Sequence, residues 1–310
     1  MKKYFSLICA ILLALTLSSC GVKKELSELE LEGRKISASS AEDMIEDWEK
    51  YNEDLTKEEE IFDNWISVDI NSIYKYSDDD GNQETYMNLS GKIYESYYEF
   101  DTKMSLTLKF QGTKYDKEST AETEYRGTVD IIYIDGKAYY NVSITSKTSG
   151  DYESTTTKYD ELIVGDINDL GRISGLTYAF AYFPGTSYES YGISMFMSSL
   201  INIQTEDEYS KAYQDEEVYS FSRKTDNNDD NSSSKTLSQL RIEMNDEYEV
   251  KSFESFNSSV ERDDDASTET ITSVKYKKCL GALIIKPLNY KKYTEESIYS
   301  IINDILGGNR

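Results

Sequence analysis

The pattern of apolar and polar positions changes period along the chain. Behind the capping pairs Ser39–Glu42 and Ser40–Asp43, the residues Met44, Trp48, Tyr51 and Leu55 recur at helical spacing. Thr56 with Glu59 offers a second cap that brings Ile61, Phe62 and Trp65 to one face, so helices are expected over 41–65. From 66 to 160 the period falls to two. Met104, Leu106, Leu108 and Phe110 alternate with Lys103, Ser105, Thr107, Lys109 and Gln111, as a strand with one wet face requires. Val129–Ile134, Asp135-Gly136 and Lys137–Ile144 read as a hairpin, because Asp-Gly supplies the positive φ angles of a type I′ turn. Asp78-Asp79-Asp80-Gly81-Asn82 and Ser149-Gly150-Asp151 are further turn signals, and together they predict an antiparallel meander.

Residues 161–204 break that pattern. Glycines at 165, 171, 175, 185 and 192, Pro184 and the apolar run Ile193–Ile201 predict loops and short helices lying against the sheet. Met195, Phe196, Met197 and Leu200 are soft or apolar side chains that suit either core filling or the lining of a lipid-like cavity. Strand signals return over 217–290: Glu217–Lys224, then Thr236–Phe256 with a turn at Asn245-Asp246-Glu247, then a strand or pair at 270–286. Polar acidic loops are expected at Thr225–Ser234 and at 261–268. A closing helix over 295–306, capped by Thr294 and stopped by Gly307-Gly308, places Ile298, Ile301, Ile302, Ile305 and Leu306 on one stripe.

The chain's start carries targeting information. Lys2 and Lys3 precede an apolar run from Tyr4 to Leu17, too short for a stable membrane span. Leu17-Ser18-Ser19-Cys20 then resembles a bacterial lipobox. The resemblance implies a signal peptide over 1–19, diacylglyceryl transfer to the Cys20 thiol, cleavage before Cys20 and acylation (palmitate-like) of its new amine. Two acyl chains, at about 0.8 kcal/mol per buried CH₂, anchor a protein stably where one does so marginally. Residues 20–39 then read as acylated cysteine and tether, and 40–310 as a single β-rich domain. The expected place is the cell membrane, lipid-anchored on the extracytoplasmic side. The bias toward Lys, Asn, Ile and Tyr and the Cys20-Gly21 start point to an AT-rich, Gram-positive source.

Composition narrows the chemistry. The 310 residues include no histidine, which removes Ser-His-Asp and Cys-His catalysis and histidine-bound zinc. A net charge of −25 argues against nucleic acid, whose phosphates must be neutralised by Lys and Arg. The 27 tyrosines exclude a disordered acidic chain. With Cys20 acylated, Cys279 is left alone in an apolar stretch and reads as a buried small hydrophobe. Asp78-Asp79-Asp80-Gly81 resembles a calcium loop only superficially, because counting back from Gly81 puts Tyr76 and Met87 where oxygen donors belong. No catalytic motif, metal set or cofactor fingerprint is recognisable, so no enzyme activity, metal or cofactor is expected.

Early helices, a Tyr-rich meander, an apolar insert and a closing helix resemble the LolA-like half-barrel lipoproteins. The segments Tyr133–Tyr140 and Leu240–Glu243 leading to Val250–Phe253 carry the likeness, which spans most of 66–290 as pattern without a diagnostic motif. It implies an α+β fold, mainly antiparallel β: a curved meander sheet (half-barrel) with N-terminal helices, a helical insert and a C-terminal helix packed on it. A β-sandwich or propeller is the alternative, though no blade-length repeat is present. Functionally the reading is a monomeric, non-enzymatic lipoprotein binding an apolar or amphiphilic ligand in its concavity. The competing readings are a cell-envelope module recognising glycan or protein through tyrosines, and a hydrolase using a pair of carboxylates.

Overall fold

The computed structural model describes residues 22–31, 33–37, 40, 43, 63–96, 101–150, 154–173, 210–228, 232–244, 250–263 and 265–306. Its strands are β1 (Arg34–Lys35), β2 (Asp63–Asp78), β3 (Gly81–Ser96), β4 (Asp101–Asp116), β5 (Ala121–Ile134), β6 (Lys137–Ser149), β7 (Ser154–Gly165), β8 (Ser210–Asp215), β9 (Val218–Asn228), β10 (Ser232–Met244), β11 (Val250–Asp263), β12 (Ala266–Lys278) and β13 (Thr294–Glu295). One α-helix, α1 (Ile298–Leu306), and two 3-10 turns, Ile167–Arg172 and Tyr290–Lys292, complete the described elements.

All thirteen strands form one sheet in the order β1-β8-β9-β10-β11-β12-β2-β3-β4-β5-β6-β7-β13. Every pairing is antiparallel except β13 on β7. The two meanders, β2–β7 and β8–β12, join where β12 pairs with β2 from Ala266↔Asp78 to Lys278↔Ile66. Both terminal strands of the sheet have two residues, so β13 pairs only Ile163 and Val164 of β7, and β1 only Tyr213 and Gln214 of β8. The architecture is the mainly antiparallel meander that the alternation predicts, curved and barrel-like as the half-barrel resemblance implies. A single buried cluster reaches from Phe221 and Leu240 through Val274, Ile70 and Leu89 to Val129, Tyr140 and Ile163. Strands this far apart in one sheet share a core only when that sheet curls around it.

Local sequence explains the principal hairpins. Asp135 (φ 54°) and Gly136 (φ 70°) make the predicted two-residue turn between β5 and β6. Between β2 and β3, the Asp78 carboxylate accepts from the backbone N–H of Asp80 and of Gly81 at 2.9 and 2.8 Å. On β5, Gly127 stands opposite Phe110, whose ring covers it; a Cβ there would meet ring carbons at 2.4 and 2.6 Å. In α1, Ile298, Ile301 and Ile302 are buried against the core and Ile305 packs beside them, the stripe read from the sequence.

Several expectations are corrected. Residues 63–65 are strand and not helix, with Trp65 paired opposite Tyr94; from Asp63 the alternation Trp65-Ser67-Asp69 against Ile66-Val68-Ile70 already has period two. Most of the rest of the predicted helical stretch lies outside the described residues. Residues 161–165 are strand, since β7 continues to Gly165 before the 3-10 turn at Ile167–Arg172, and 174–204 of the predicted insert lie outside the described residues. Strand β8 and most of the two expected acidic loops are also sheet. β9 and β10 pair out to Asn228↔Ser233, and β11 and β12 to Arg262↔Ser267, with side-chain hydroxyls such as Thr225 and Thr236 bonding across strands. Conversely, 279–286 is not strand. β12 is already paired on both sides, by β11 and β2, so no hairpin partner remains for it. Cys279 there is half-buried. Thr294 does not cap α1; it pairs in β13, and the Ser297 hydroxyl accepts from the Ser300 N–H at 3.3 Å.

The segment read as a tether lies across the sheet. Lys24 stands 5.7 Å over the Tyr86 ring on the outer face of β3. Leu29 is held by the Gln239 amide, donating its N–H at 2.8 Å and accepting at 3.2 Å, and Arg241 donates to the Glu30 carbonyl. Arg34–Lys35 then add β1 to the edge at β8.

Candidate functional site

Register assigns each strand residue to the inner or outer face. On the inner face, the ends of the strands nearest the β5–β6 turn are apolar: Val68 and Ile70 on β2, Met87, Leu89 and Ile93 on β3, Met104, Leu106 and Leu108 on β4. Val129 and Ile131, Val142 and Ile144 and, on the far side, Val274 and Leu240 continue this floor. Toward the opposite ends the same face turns polar. β2 offers Ser72, Tyr74 and Tyr76; β12 offers Thr272, Thr270 and Thr268; β11 offers Ser255, Asn257 and Ser259. Ser238 and Thr236 of β10 and Thr225 of β9 extend this hydroxyl-bearing half.

Some polar groups of this half satisfy one another, Thr225 with Thr236 among them. The hydroxyls of Thr85 and Tyr125 share a hydrogen bond of 2.6 Å, the Gln83 amide donates to Tyr125 at 3.4 Å, and Tyr125 donates to the Glu84 carbonyl at 3.2 Å. Two do not. Ser72 and Ser255, 1 % and 2 % exposed, have buried hydroxyl oxygens with no hydrogen-bond partner. Both lie where the face changes character: Ser72 follows Ile70 in phase, and Ser255 is paired with Val274. They sit two strands apart, about 10 Å across the sheet at normal strand spacing. Unsatisfied buried hydroxyls are uncommon because each forfeits its bonds to water.

Among the described strand tyrosines, Tyr74, Tyr76, Tyr125, Tyr133, Tyr140, Tyr159, Tyr219 and Tyr276 lie on the inner face and Tyr86, Tyr94, Tyr115, Tyr139 and Tyr213 on the outer. Burial drives Tyr125 and Tyr276 above the ordinary phenol range; it does the same to Tyr140, helped by the nearby Asp169 and Asp166 charges. Tyr159 is pushed up to about 12 by burial together with Glu296 and Glu161. These phenols stay neutral donors at physiological pH. Tyr140 uses its hydroxyl to donate to the Asp166 carbonyl at 2.7 Å. Such inward rings weaken the reading of the tyrosines as an exposed glycan platform.

A separate cleft of about 660 Å³ opens at the apolar end, between the β5–β6 turn, the Ile167–Arg172 turn and β13; Lys137, Asp166, Asp169, Glu295 and Glu296 are among its lining residues. Its aspartates act as structural caps. Asp166 accepts from the Asn168 N–H at 2.9 Å, and Asp169 accepts from the Ser297 hydroxyl at 2.6 Å while facing Arg172 at 3.4 Å. Among the described residues, no cluster of three His, Cys, Asp or Glu side chains is placed to hold a metal, and no helix is long and apolar enough to cross a membrane.

No protein-family model matches the chain, and no curated protein matches it. Among solved structures it is similar to the translocator domain of the autotransporter NalP from Neisseria meningitidis, at 7 % identity over 78 % of this chain and 98 % of that one, with a TM-score of 0.23. The beta domain of the Bordetella autotransporter BrkA aligns at 5 % identity over 70 % and 99 %, TM-score 0.25. A beta-barrel-like domain of unknown function from Brucella abortus aligns at 9 % over 71 % and 99 %, TM-score 0.12. At these scores the likenesses carry no functional argument.

The residues singled out from the sequence, Cys20, Met195, Phe196, Met197 and Leu200, all lie outside the described residues. The transition marked by Ser72 and Ser255 went unread. Its signal was present as a serine in phase with Val68 and Ile70, but a hydroxyl at an inward position has meaning only once its register neighbours are known.

Proposed function

We propose that this chain is an extracytoplasmic lipoprotein, anchored through acylated Cys20, whose half-barrel takes an amphiphile on its inner face. The observation that carries the reading is the pair of buried, unpartnered hydroxyls of Ser72 and Ser255 at the boundary between an apolar floor and a hydroxyl-bearing upper half. The floor residues are already buried, at 0–3 % exposure, so an amphiphile's tail enters by displacing the side chains packed on them, and its polar head then supplies the partners that the serines lack. Met195, Phe196, Met197 and Leu200 are candidates to close over such a ligand.

The test uses the mature chain from residue 20 with Cys20→Ser, titrated with a fluorescent fatty-acid analogue. Saturable binding of one probe per chain is expected. Replacing both serines (Ser72→Ala with Ser255→Ala) removes two modest hydrogen bonds and should weaken binding about tenfold. Absence of saturable binding, or equal affinity in the double variant, contradicts the reading.

A further inference from the structure

Residues 279–293 connect β12 to β13 and run around the outside of the sheet's apolar end. Lys92 of β3 donates to the Leu280 carbonyl at 3.0 Å. The Lys286 ammonium lies 5.5 Å over the Tyr139 ring of β6, 4.7 Å over that of Tyr290, and 3.9 Å from the Asp135 carboxylate. Tyr293 meets Tyr139 edge-on, with ring centres 5.4 Å apart. Ile284 turns inward and is buried. Its neighbours turn outward: Leu280, Leu283 and Leu288 are 88, 87 and 96 % exposed, and Ile285 is 56 % exposed.

Single exposed leucines are ordinary. Four exposed large aliphatics within residues 280–288 are a concentration that no other described stretch shows. The charge of the same stretch opposes that of the whole chain. No Asp or Glu occurs between Glu269 and Glu295, an interval that holds Lys275, Lys277, Lys278, Lys286, Lys291 and Lys292. Lys275 is paired with Glu254 at 2.8 Å, whereas Lys277, Lys291 and Lys292 are exposed. Carboxylates beside the stretch are Glu254 at Lys275, Asp135 at Lys286, and Glu295 and Glu296 next along the chain.

We propose that this belt docks on an anionic lipid surface, with Leu280, Leu283 and Leu288 in the interface and the lysines among the headgroups. Apolar side chains bordered by cations are the composition that interfacial binding rewards. Only part of the net charge of −25 lies near the belt, at the Asp215–Glu217 turn and at Asp166, Asp169, Glu295 and Glu296. The acidic turns at Asp78–Asp80, Asp226 and Asp263 lie at the opposite ends of strands as long as 16 residues. At about 3.3 Å per residue that is roughly 50 Å, several times the screening length of about 8–10 Å at physiological salt. The proposal is independent of Cys20, although Lys24 rests on the outer face of β3, the strand whose Lys92 also touches the belt.

The test is hydrogen exchange on the chain as purified from its host, mixed with vesicles of phosphatidylcholine alone or with added phosphatidylglycerol. Amide exchange across 279–292 should slow about tenfold or more on the anionic vesicles and change little on the neutral ones. The triple variant Leu280→Ser, Leu283→Ser, Leu288→Ser should lose that protection while strand exchange stays unchanged, since none of the three is packed. Equal exchange with and without anionic vesicles overturns the proposal. So does protection that needs no lipid and grows with protein concentration, which would make the belt a contact between copies.

Discussion

A buried hydroxyl without a partner costs about 1–3 kcal/mol, and Ser72 and Ser255 are inner-face hydroxyls to which no protein group is bonded. Ser72→Ala should therefore raise the unfolding free energy by about 1 kcal/mol without ligand, measured by urea denaturation. With a bound amphiphile the sign should reverse. A loss of stability in the ligand-free protein would show that the hydroxyl already has a partner. Gly127 tests packing at the same scale. Gly127→Ala drives a methyl into the buried Phe110 ring and should destabilise by about 1–3 kcal/mol, read by the same method. The Asp135-Gly136 turn was legible from two residues, because the positive φ requirement is local. The serines were not, because their meaning depends on strands β11 and β12, which lie far along the chain.

Elements were legible where a one-sided pattern met a local stop signal. The hairpins at Asp78–Gly81 and Asp135-Gly136 and the isoleucine stripe of α1 are of this kind. The polar arms of β9–β12 were not, because Thr225–Asn228 and Ser232–Ser234 are held in the sheet by neighbouring strands and not by a hydrophobic face of their own. The segment at 22–36 misread for the opposite reason: its composition is that of a tether, yet Gln239, 5 % exposed, clamps Leu29 through two hydrogen bonds. Gln239→Ala should free that segment. Amide exchange at Leu29–Ile36 is expected to accelerate about tenfold, matching roughly 1–2 kcal/mol of lost bonding, with the β4–β6 amides unaffected. Unchanged exchange at Leu29 would mean that the backbone pairing of β1 alone holds the segment.

The inner face of the molecule is polarised along the strands, apolar at the end that bears the lysine-rich belt and hydroxyl-bearing at the opposite end. Its tyrosines give it a defined response to base. Tyr125, Tyr140, Tyr159 and Tyr276 all have pKa values above the ordinary 10, so the folded state holds protons that the unfolded chain releases. Stability should be fully present below pH 10 and fall as pH rises above it, by about 1.4 kcal/mol per pH unit for each buried tyrosine that stays protonated. Urea midpoints at pH 8, 10 and 11 check this; a flat profile would contradict the burial. The central claim, an amphiphile on the inner face, is tested most directly by native mass spectrometry of the mature Cys20→Ser chain secreted by its own host and purified without detergent. A co-purifying mass that is lost on denaturation, and diminished in the Ser72→Ala, Ser255→Ala variant, is the predicted result. A bare protein mass from host material, unchanged after incubation with host lipid extract, would contradict it.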